Sequence, residues 1–282
     1  MPHNPSKKTE AKGVRDAPGP ASNGVRAKKS LGQNFLMHQA TAERIADAAR
    51  LSREATVLEI GPGTGMLTKA LLSRARKVVA VEADDDLVPQ LKETFAAEIE
   101  EGKLRLIHAD IRAFDPSSLG EPYALVANIP YYLTGELFRQ FLSAKHKPSS
   151  VTFLVQKEVA ERIAREKKES LLSLSVKAYG TPSYEFTVPR GAFVPAPNVD
   201  SAVLSIQNIR ADAFASAKEE ARFFEVLHAG FAHKRKLLAR NLEEVADASV
   251  IRAAFQAAGV EEKARAEDVP LAAWKELTRV LA

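Results

Sequence analysis

The 282-residue sequence contains no cysteine and no long apolar run. The absence of cysteine excludes a disulfide scaffold, a Cys-ligated zinc or iron–sulfur site and a thiol nucleophile. No apolar run approaches the roughly 18 residues that a membrane-spanning helix needs, and the polar start of the chain lacks the apolar stretch of a secretory signal. We therefore expect a cytoplasmic protein without membrane spans or bound metal, whose chemistry uses oxygen, nitrogen or a bound cofactor.

The positive charge is unevenly distributed along the chain. The formal net charge is only +4, but residues 1–27 carry five Lys and Arg against two acidic residues and so account for +3 of it. This segment also has four Pro, three Gly and no aromatic residue, a composition that predicts a disordered basic tail. A solvated leader is the simplest interpretation, and an arm that touches a polyanion is the alternative. A mitochondrial transit peptide fits less well, because such peptides are amphipathic.

The pattern of apolar runs predicts an α/β protein. Predicted strands at 56–60, 77–81, 104–108, 123–127 and 150–156 alternate with helical segments, and two closing strands follow at 184–189 and 202–206. Such alternation indicates a Rossmann-like, parallel sheet with helices on both faces, here in a domain that covers residues 28–208. From about residue 210 only helical patterns remain, among them 234–245, so residues 209–282 are predicted to form a small all-helical domain.

A glycine-rich loop with the sequence EIGPGTG follows the first strand at residues 59–65. Glycines permit tight turns and close approach of a ligand, and ligands of doubly wound sheets bind at the carboxyl ends of the strands. Glu82 ends the second strand 21 residues after Gly61, where an acidic residue would bind a ribose diol. Asp110 follows the third strand, where it would meet an adenine amine.

Taken singly, these features have simpler explanations. The loop is also typical of a structural turn, and each acidic residue is also typical of a solvated loop or a helix N-cap. In combination they favour a nucleoside cofactor. The loop lacks the Lys-Ser/Thr pair of phosphate-binding loops, so S-adenosylmethionine fits better than a nucleotide.

A second motif, Asn-Ile-Pro-Tyr, follows the fourth strand at residues 128–131. Asn-x-Pro is a common turn signal. The motif nevertheless resembles that of adenine N6-methyltransferases that act on ribosomal RNA. The exocyclic amine of adenine is a poor nucleophile, because its lone pair is delocalised into the ring. Hydrogen bonds to the Asn128 side chain and the Ile129 carbonyl would localise that lone pair, and Tyr131 would stack on the base.

The resemblance extends over nearly all of residues 28–282. Four further runs are similar to the small-subunit ribosomal RNA adenine dimethyltransferase family: KKSLGQNFL at 28–36, VLEIGPGTG at 57–65, QKEVAER at 156–162 and FVPAPNVDS at 193–201. The family implies a Rossmann-like S-adenosylmethionine-dependent methyltransferase that dimethylates N6 of two adjacent adenosines near the 3′ end of small-subunit rRNA. The implied substrate is a 30S assembly intermediate, and the implied state is a monomer.

The same resemblance implies roles for individual residues. The implied cofactor-binding residues are Asn34, Leu36, Gly61, Glu82, Asp110 and Asn128. Asn34 and Leu36 would close over the cofactor, and Asn128 would line both substrate pockets. Asn128, Tyr131 and Phe193 are the implied catalytic residues, with Phe193 on the second face of the target base, opposite Tyr131. The alternative for Phe193 is a core aromatic beside a proline-rich loop.

The densest basic cluster outside the tail consists of Lys234, Arg235, Lys236 and Arg240. It opens a predicted helix, so several of its side chains would project along one side. A charge run is often only a solvated helix face, and contact with RNA phosphates is the alternative that a nearby RNA-modifying site favours.

Three other functions stay open at this stage. The first is the related large-subunit rRNA methyltransferase that confers macrolide resistance, and the second is a DNA adenine methyltransferase, although no separate sequence-reading domain is evident. The third is a non-catalytic RNA-binding assembly or transcription factor on the same fold.

Overall fold

The structure is a computed structural model that describes residues 27–281. The predicted basic tail, apart from residue 27, lies outside the described residues. Within this range there are nine strands: β1 Phe35–Leu36, β2 Thr56–Ile60, β3 Lys77–Glu82, β4 Leu104–His108, β5 Tyr123–Asn128, β6 Ser150–Gln156, β7 Thr181–Val188, β8 Phe193–Val194 and β9 Ser201–Gln207.

Seven of these strands form one sheet in the order β4-β3-β2-β5-β6-β9-β7. The five strands from β2 to β6 are parallel, as predicted. The sheet is mainly parallel, and at one edge β9, a closing strand whose direction the sequence did not predict, runs antiparallel to both β6 and β7. The loop from β7 to β9 contains no helix long enough for a crossover, so the chain returns antiparallel beside β7.

The described helices lie on both faces of the sheet, and the last four follow β9 in the chain. They are α1 Gln39–Ala48, α2 Met66–Leu72, α3 Leu87–Thr94, α4 Ala96–Glu100, α5 Thr134–Leu142, α6 Lys157–Ala164, α7 Leu171–Lys177, α8 Ala217–Phe231, α9 Leu238–Leu242, α10 Ala248–Ala258 and α11 Leu271–Val280. Between residues 27 and 281, no helix combines the length and apolar character that crossing a bilayer requires.

The central strands are buried on both faces, which explains why they consist of continuous apolar runs. Successive residues of β2 point to opposite sides of the sheet. Val57 packs with α1 to α3, whereas Leu58 and Ile60 pack in the cluster that contains α5 and α7. This second cluster continues into α8 and α11, where Phe223 and Trp274 are almost completely buried.

The predicted boundary at residue 208 falls just after β9, and only helices follow it. Because these helices share one hydrophobic cluster with a face of the sheet, they are packed directly on the α/β part. The division into two domains stays a prediction.

A short two-stranded ribbon, which the sequence patterns did not reveal, joins two distant segments. Strands β1 and β8 pair antiparallel, with Leu36 opposite Phe193 and Phe35 opposite Val194. The ribbon therefore brings the leading segment (residues 28–36) against the segment that begins the FVPAPNVDS run. Two motifs identified separately in the sequence are neighbours in the structure.

The helix predicted at 234–245 is correct only at residues 238–242 and wrong at both ends. Lys234 and Arg235 lie in a turn between α8 and α9, and α9 begins only at Leu238. The Asn241 side chain donates hydrogen bonds to the carbonyl oxygens of Gly230 (2.6 Å) and His233 (3.2 Å). These bonds tie the chain into a turn where a continuous helix was expected.

Candidate active site

One cavity lies at the carboxyl ends of β2, β3, β4 and β5. Strands that end side by side in a parallel sheet bring the residues after them together, and ligands bind at this edge. All predicted cofactor and catalytic residues line this cavity: Asn34, Leu36, Gly61, Glu82, Asp110, Asn128, Tyr131 and Phe193. The structure thus brings together eight side chains or backbone positions that are spread over about 160 positions of sequence.

The glycine-rich loop forms one wall of the cavity, and its glycines adopt a backbone conformation that other residues rarely adopt. Gly61, Gly63 and Gly65 have φ angles of +63°, +60° and +82°. A Cβ atom at Gly65 would also lie 2.5 Å from the Phe95 ring. The loop consequently exposes its backbone to the cavity, which leaves room for a ligand close to the main chain.

Glu82 is the buried acidic residue of the site, with only 4% of its surface exposed. Its Oε2 accepts a hydrogen bond from the Gly63 N–H (3.1 Å), and its Oε1 accepts one from the Asp84 N–H (2.9 Å). Burial raises the pKa of the Glu82 carboxyl above its ordinary value, while these two backbone bonds oppose the shift. Each carboxylate oxygen keeps a lone pair for a further donor, as binding of a ribose diol requires.

A second buried acid, Glu59, was not identified as a site residue. It lies in β2, is 1% exposed, and neither of its carboxyl oxygens has a hydrogen-bond partner among the described residues. Burial raises its pKa to about 8, so the group is mostly protonated at neutral pH. It does not line the cavity, and in its protonated form it adds no negative charge near Glu82.

Asp110 both lines the cavity and caps the 3-10 turn Ile111–Ala113. Its Oδ1 accepts the Arg112 N–H (2.9 Å), and the Arg112 guanidinium holds both carboxylate oxygens through Nε and Nη2. This fork lowers the pKa of Asp110. The N-cap interpretation is correct, and the carboxylate, which lines the cavity, already accepts hydrogen bonds from three N–H groups of Arg112.

The orientation of the Asn128 amide is fixed by the leading segment. Its Nδ2 donates a 3.0 Å hydrogen bond to the carbonyl oxygen of Asn34. The Asn34 side chain in turn donates to the carbonyl of Gly32. Oδ1 is the hydrogen-bond acceptor of the Asn128 side chain, and the bond from Nδ2 to Asn34 fixes its direction; an adenine amine is a donor that it can accept.

Two aromatic rings border the same space. The Tyr131 hydroxyl is hydrogen-bonded to Ser201 Oγ at 2.7 Å, and burial raises the pKa of Tyr131, so the phenol stays neutral. Phe193 is only 3% exposed and packs in the cluster on the α1 to α3 side of the sheet. It is therefore a core aromatic and a cavity residue at once. Ser201 was missed, although it closes the FVPAPNVDS run.

The leading segment is fastened beside the cavity by an ion-pair cluster that the sequence motifs did not predict. Lys28 Nζ lies 2.5, 2.7 and 2.8 Å from carboxylate oxygens of Asp84, Asp85 and Asp86. Gln33 Nε2 donates to the second oxygen of the buried Asp84 (2.6 Å). Three consecutive Asp residues after a strand were the available signal, but their partner lies 56 positions earlier.

The predicted RNA-binding residues lie elsewhere. Lys234, Arg235 and Lys236 (the basic turn) are exposed, and none of them lines the cavity. Arg240, on α9, is also exposed, but its guanidinium forms a 2.9 Å ion pair with Glu243. The three residues of the basic turn therefore offer more free positive charge than Arg240 does.

Comparison with known proteins identifies the family of this chain. The model of the family described as ribosomal RNA adenine dimethylase matches residues 24–282, which is most of the chain. The chain belongs to this family. It is accordingly an S-adenosylmethionine-dependent adenine dimethyltransferase of ribosomal RNA. The exposed glycine backbone and the acceptors of Glu82 and Asp110 fit a cofactor with a ribose and an adenine.

Two relatives match over most of their length. The ribosomal RNA small subunit methyltransferase A of Dehalococcoides mccartyi strain BAV1 is 44% identical over 90% of this chain and 88% of its own. The Geobacillus thermodenitrificans protein of the same name is 36% identical over 93% of each chain. Among solved structures, the 23S rRNA methyltransferase ErmE has a TM-score of 0.73 at 28% identity and covers 88% of this chain and 99% of its own.

Proposed function

We propose that this protein transfers two methyl groups to N6 of each of two adjacent adenosines near the 3′ end of small-subunit ribosomal RNA. It acts as a cytoplasmic monomer on an assembly intermediate of the small subunit. The observation that carries the proposal is the Asn128 amide, whose Nδ2 is held by Asn34 so that the direction of its acceptor oxygen is fixed in a cavity lined by Glu82 and Asp110.

The cofactor roles follow from the acceptors on the strand ends. Glu82 holds the ribose hydroxyls and Asp110 holds the adenine amine, because both carboxylates line the cavity and a carboxylate accepts hydrogen bonds from such donors. The backbone at Gly61 contacts the methionine part, and Asn34 and Leu36 cover the cofactor from the leading segment. S-adenosylmethionine, when bound, supplies an electrophilic methyl group.

The catalytic roles concern the target amine. In the first transfer, Asn128 Oδ1 and the Ile129 carbonyl accept hydrogen bonds from its two N–H groups, and in the second transfer one of them accepts from the single N–H that remains. These bonds draw the lone pair out of conjugation with the ring. Positioning this nitrogen for in-line attack supplies much of the rate. The nitrogen becomes acidic once it is alkylated and releases its proton without a dedicated base.

The target base must leave the helical stack before it can react. Tyr131, fixed by Ser201, and Phe193, fixed in β8, bind its two faces. One base–aromatic stack contributes about 1–3 kcal/mol, enough to offset part of the unstacking cost. Lys234, Arg235, Lys236 and Arg240 bind phosphates of the surrounding rRNA.

A second candidate is methylation of large-subunit rRNA. The structural similarity to ErmE, at a TM-score of 0.73, favours it. The higher identity to proteins named for the small subunit, 44% over 90% of the chain, favours the first candidate more strongly.

The test is transfer of a labelled methyl group to undermethylated small subunits and, in parallel, to large subunits. The proposal predicts label in the small subunit alone. Label in the large subunit alone would establish the second candidate. Tight binding of RNA without transfer would point to a non-catalytic assembly factor.

A further inference from the structure

Two consecutive tyrosines in the 3-10 turn Tyr131–Leu133 have opposite environments. Tyr131 is partly buried and hydrogen-bonded to Ser201. Tyr132 is 62% exposed, the largest exposure among the large apolar side chains that the structure describes, and it lines the same cavity. An exposed aromatic ring at the mouth of a base-binding cavity has no role in the mechanism above.

The exposed ring is held in place by its surroundings. A Cβ atom at Gly32 would lie 3.0 Å from Tyr132 Cε1 and 3.2 Å from Pro130 Cβ, so the ring rests against the bare α-carbon of Gly32. The turn itself is fastened by the Thr134 hydroxyl, which donates to the Tyr131 carbonyl (2.9 Å), and by the buried Leu133. A ring fixed in this way loses little conformational entropy when a planar ligand covers it.

We propose that Tyr132 is a stacking platform for the base next to the target adenosine, so that it contributes to recognition of the RNA segment. This inference rests on the proposed function. When one of two adjacent purines enters the cavity, its neighbour loses a stacking partner. Tyr132, next in sequence to the tyrosine that binds the target, lies at the opening where this neighbour emerges.

Stacking on an aromatic ring depends little on base identity, because every base has a π-face. The platform therefore serves in both registers, whichever of the two adenosines occupies the cavity. Arg112 is 56% exposed and also lines the cavity, but its guanidinium is paired with Asp110, so the stacking ring of Tyr132 is the part of this wall left for the bound segment.

The experiment measures kcat and KM for methyl transfer to undermethylated small subunits, with Tyr132→Ala, Tyr132→Phe and the control Val250→Ala. Val250 is 38% exposed on α10 and does not line the cavity. We expect Tyr132→Ala to raise KM about 5- to 100-fold, the contribution of one base stack. Tyr132→Phe, which keeps the ring, and Val250→Ala should stay within about twofold of the wild type, as should cofactor affinity in all three variants.

A second substrate makes the test independent of how the variant folds. Small subunits reconstituted with an abasic ribose beside the target adenosine should raise the wild-type KM by a similar factor. On this substrate, wild type and Tyr132→Ala should have equal KM values.

Three results would overturn the inference: an unchanged KM for Tyr132→Ala, a loss that is equally large on the abasic substrate, or a weakened cofactor affinity that accounts for the loss. A wild-type enzyme that transfers no methyl group to small subunits would instead refute the proposed function.

Discussion

The cavity and the basic turn differ in how many of their polar groups form hydrogen bonds within the protein. In the cavity, Glu82, Asp110 and Asn128 each form hydrogen bonds to backbone or side-chain groups, which fix the direction of these side chains. In the basic turn, Lys234 to Lys236 are exposed and not tied to the cavity. We infer that the cavity acts through the geometry of single residues, whereas the turn acts through summed charge.

The largest effect is expected at Asn128, where this geometry is tested most sharply. We expect Asn128→Ala to lower kcat about 100- to 1,000-fold, the usual cost of removing one positioned hydrogen-bonding group from a transition state. Single-turnover methyl transfer to small subunits measures this. RNA affinity and melting temperature serve as controls and should change little. A near-normal rate would remove Asn128 from the mechanism.

The next largest effect is expected in the basic turn. The triple charge reversal Lys234→Glu, Arg235→Glu, Lys236→Glu should weaken RNA binding about 10- to 100-fold at low salt and flatten the dependence of log K on log salt by roughly 2. Cofactor affinity should not change. Titration of RNA over a salt series measures both quantities.

A matched triple reversal at the exposed residues Lys69, Lys92 and Lys103 is the control for net charge. Equal losses in the two triple variants would show that the basic turn has no special role, and the contrast between turn and cavity would then fail.

The smallest effect is expected at Arg112. Its side chain is exposed, as in the basic turn, and yet it forms an ion pair with Asp110 of the cavity. Arg112 lowers the pKa of Asp110, so the carboxylate stays ionised further into acid in the wild type. In Arg112→Ala the pKa should return towards its ordinary value, and cofactor affinity should fall as the pH drops from 6 to 4 while the wild type loses less.

Calorimetric titration of S-adenosylhomocysteine across this pH range measures the difference, which we expect to be at most about twofold near pH 4, corresponding to about 0.4 kcal/mol, because an Asp of ordinary pKa is still partly ionised there. Arg112→Lys keeps the positive charge but not the bidentate geometry, so its cofactor affinity at low pH should lie between those of the wild type and Arg112→Ala. Parallel pH profiles for wild type and Arg112→Ala would show that Arg112 does not act on the cofactor pocket.

The sequence predicted the residues that line the cavity better than the contacts that hold them in place. The residues at the ends of β2 to β5 converge because parallel strands end at one edge, which makes the location of Gly61, Glu82, Asp110 and Asn128 predictable from strand order alone. Their placement in one cavity is confirmed, while their roles stay predictions.

The contacts that hold these residues in place were missed because the paired residues are distant in sequence. Lys28 and Asp84 are 56 positions apart, and Tyr131 and Ser201 are 70 apart. Local periodicity carries no information about such pairs. The antiparallel β9 was missed for the same reason, since an apolar run indicates a strand but not its direction. The basic turn was predicted as helix because local propensity does not include the tertiary hydrogen bonds of Asn241.

The central claim, that this cavity dimethylates an adenine amine, is tested most directly by the chemical identity and position of the product. Undermethylated small subunits should be incubated with the enzyme and S-adenosylmethionine, and the rRNA digested and mapped by mass spectrometry. The account predicts N6,N6-dimethyladenosine at two adjacent positions near the 3′ end. Methyl groups on a ring carbon, on a ribose or on any base other than adenine would contradict it.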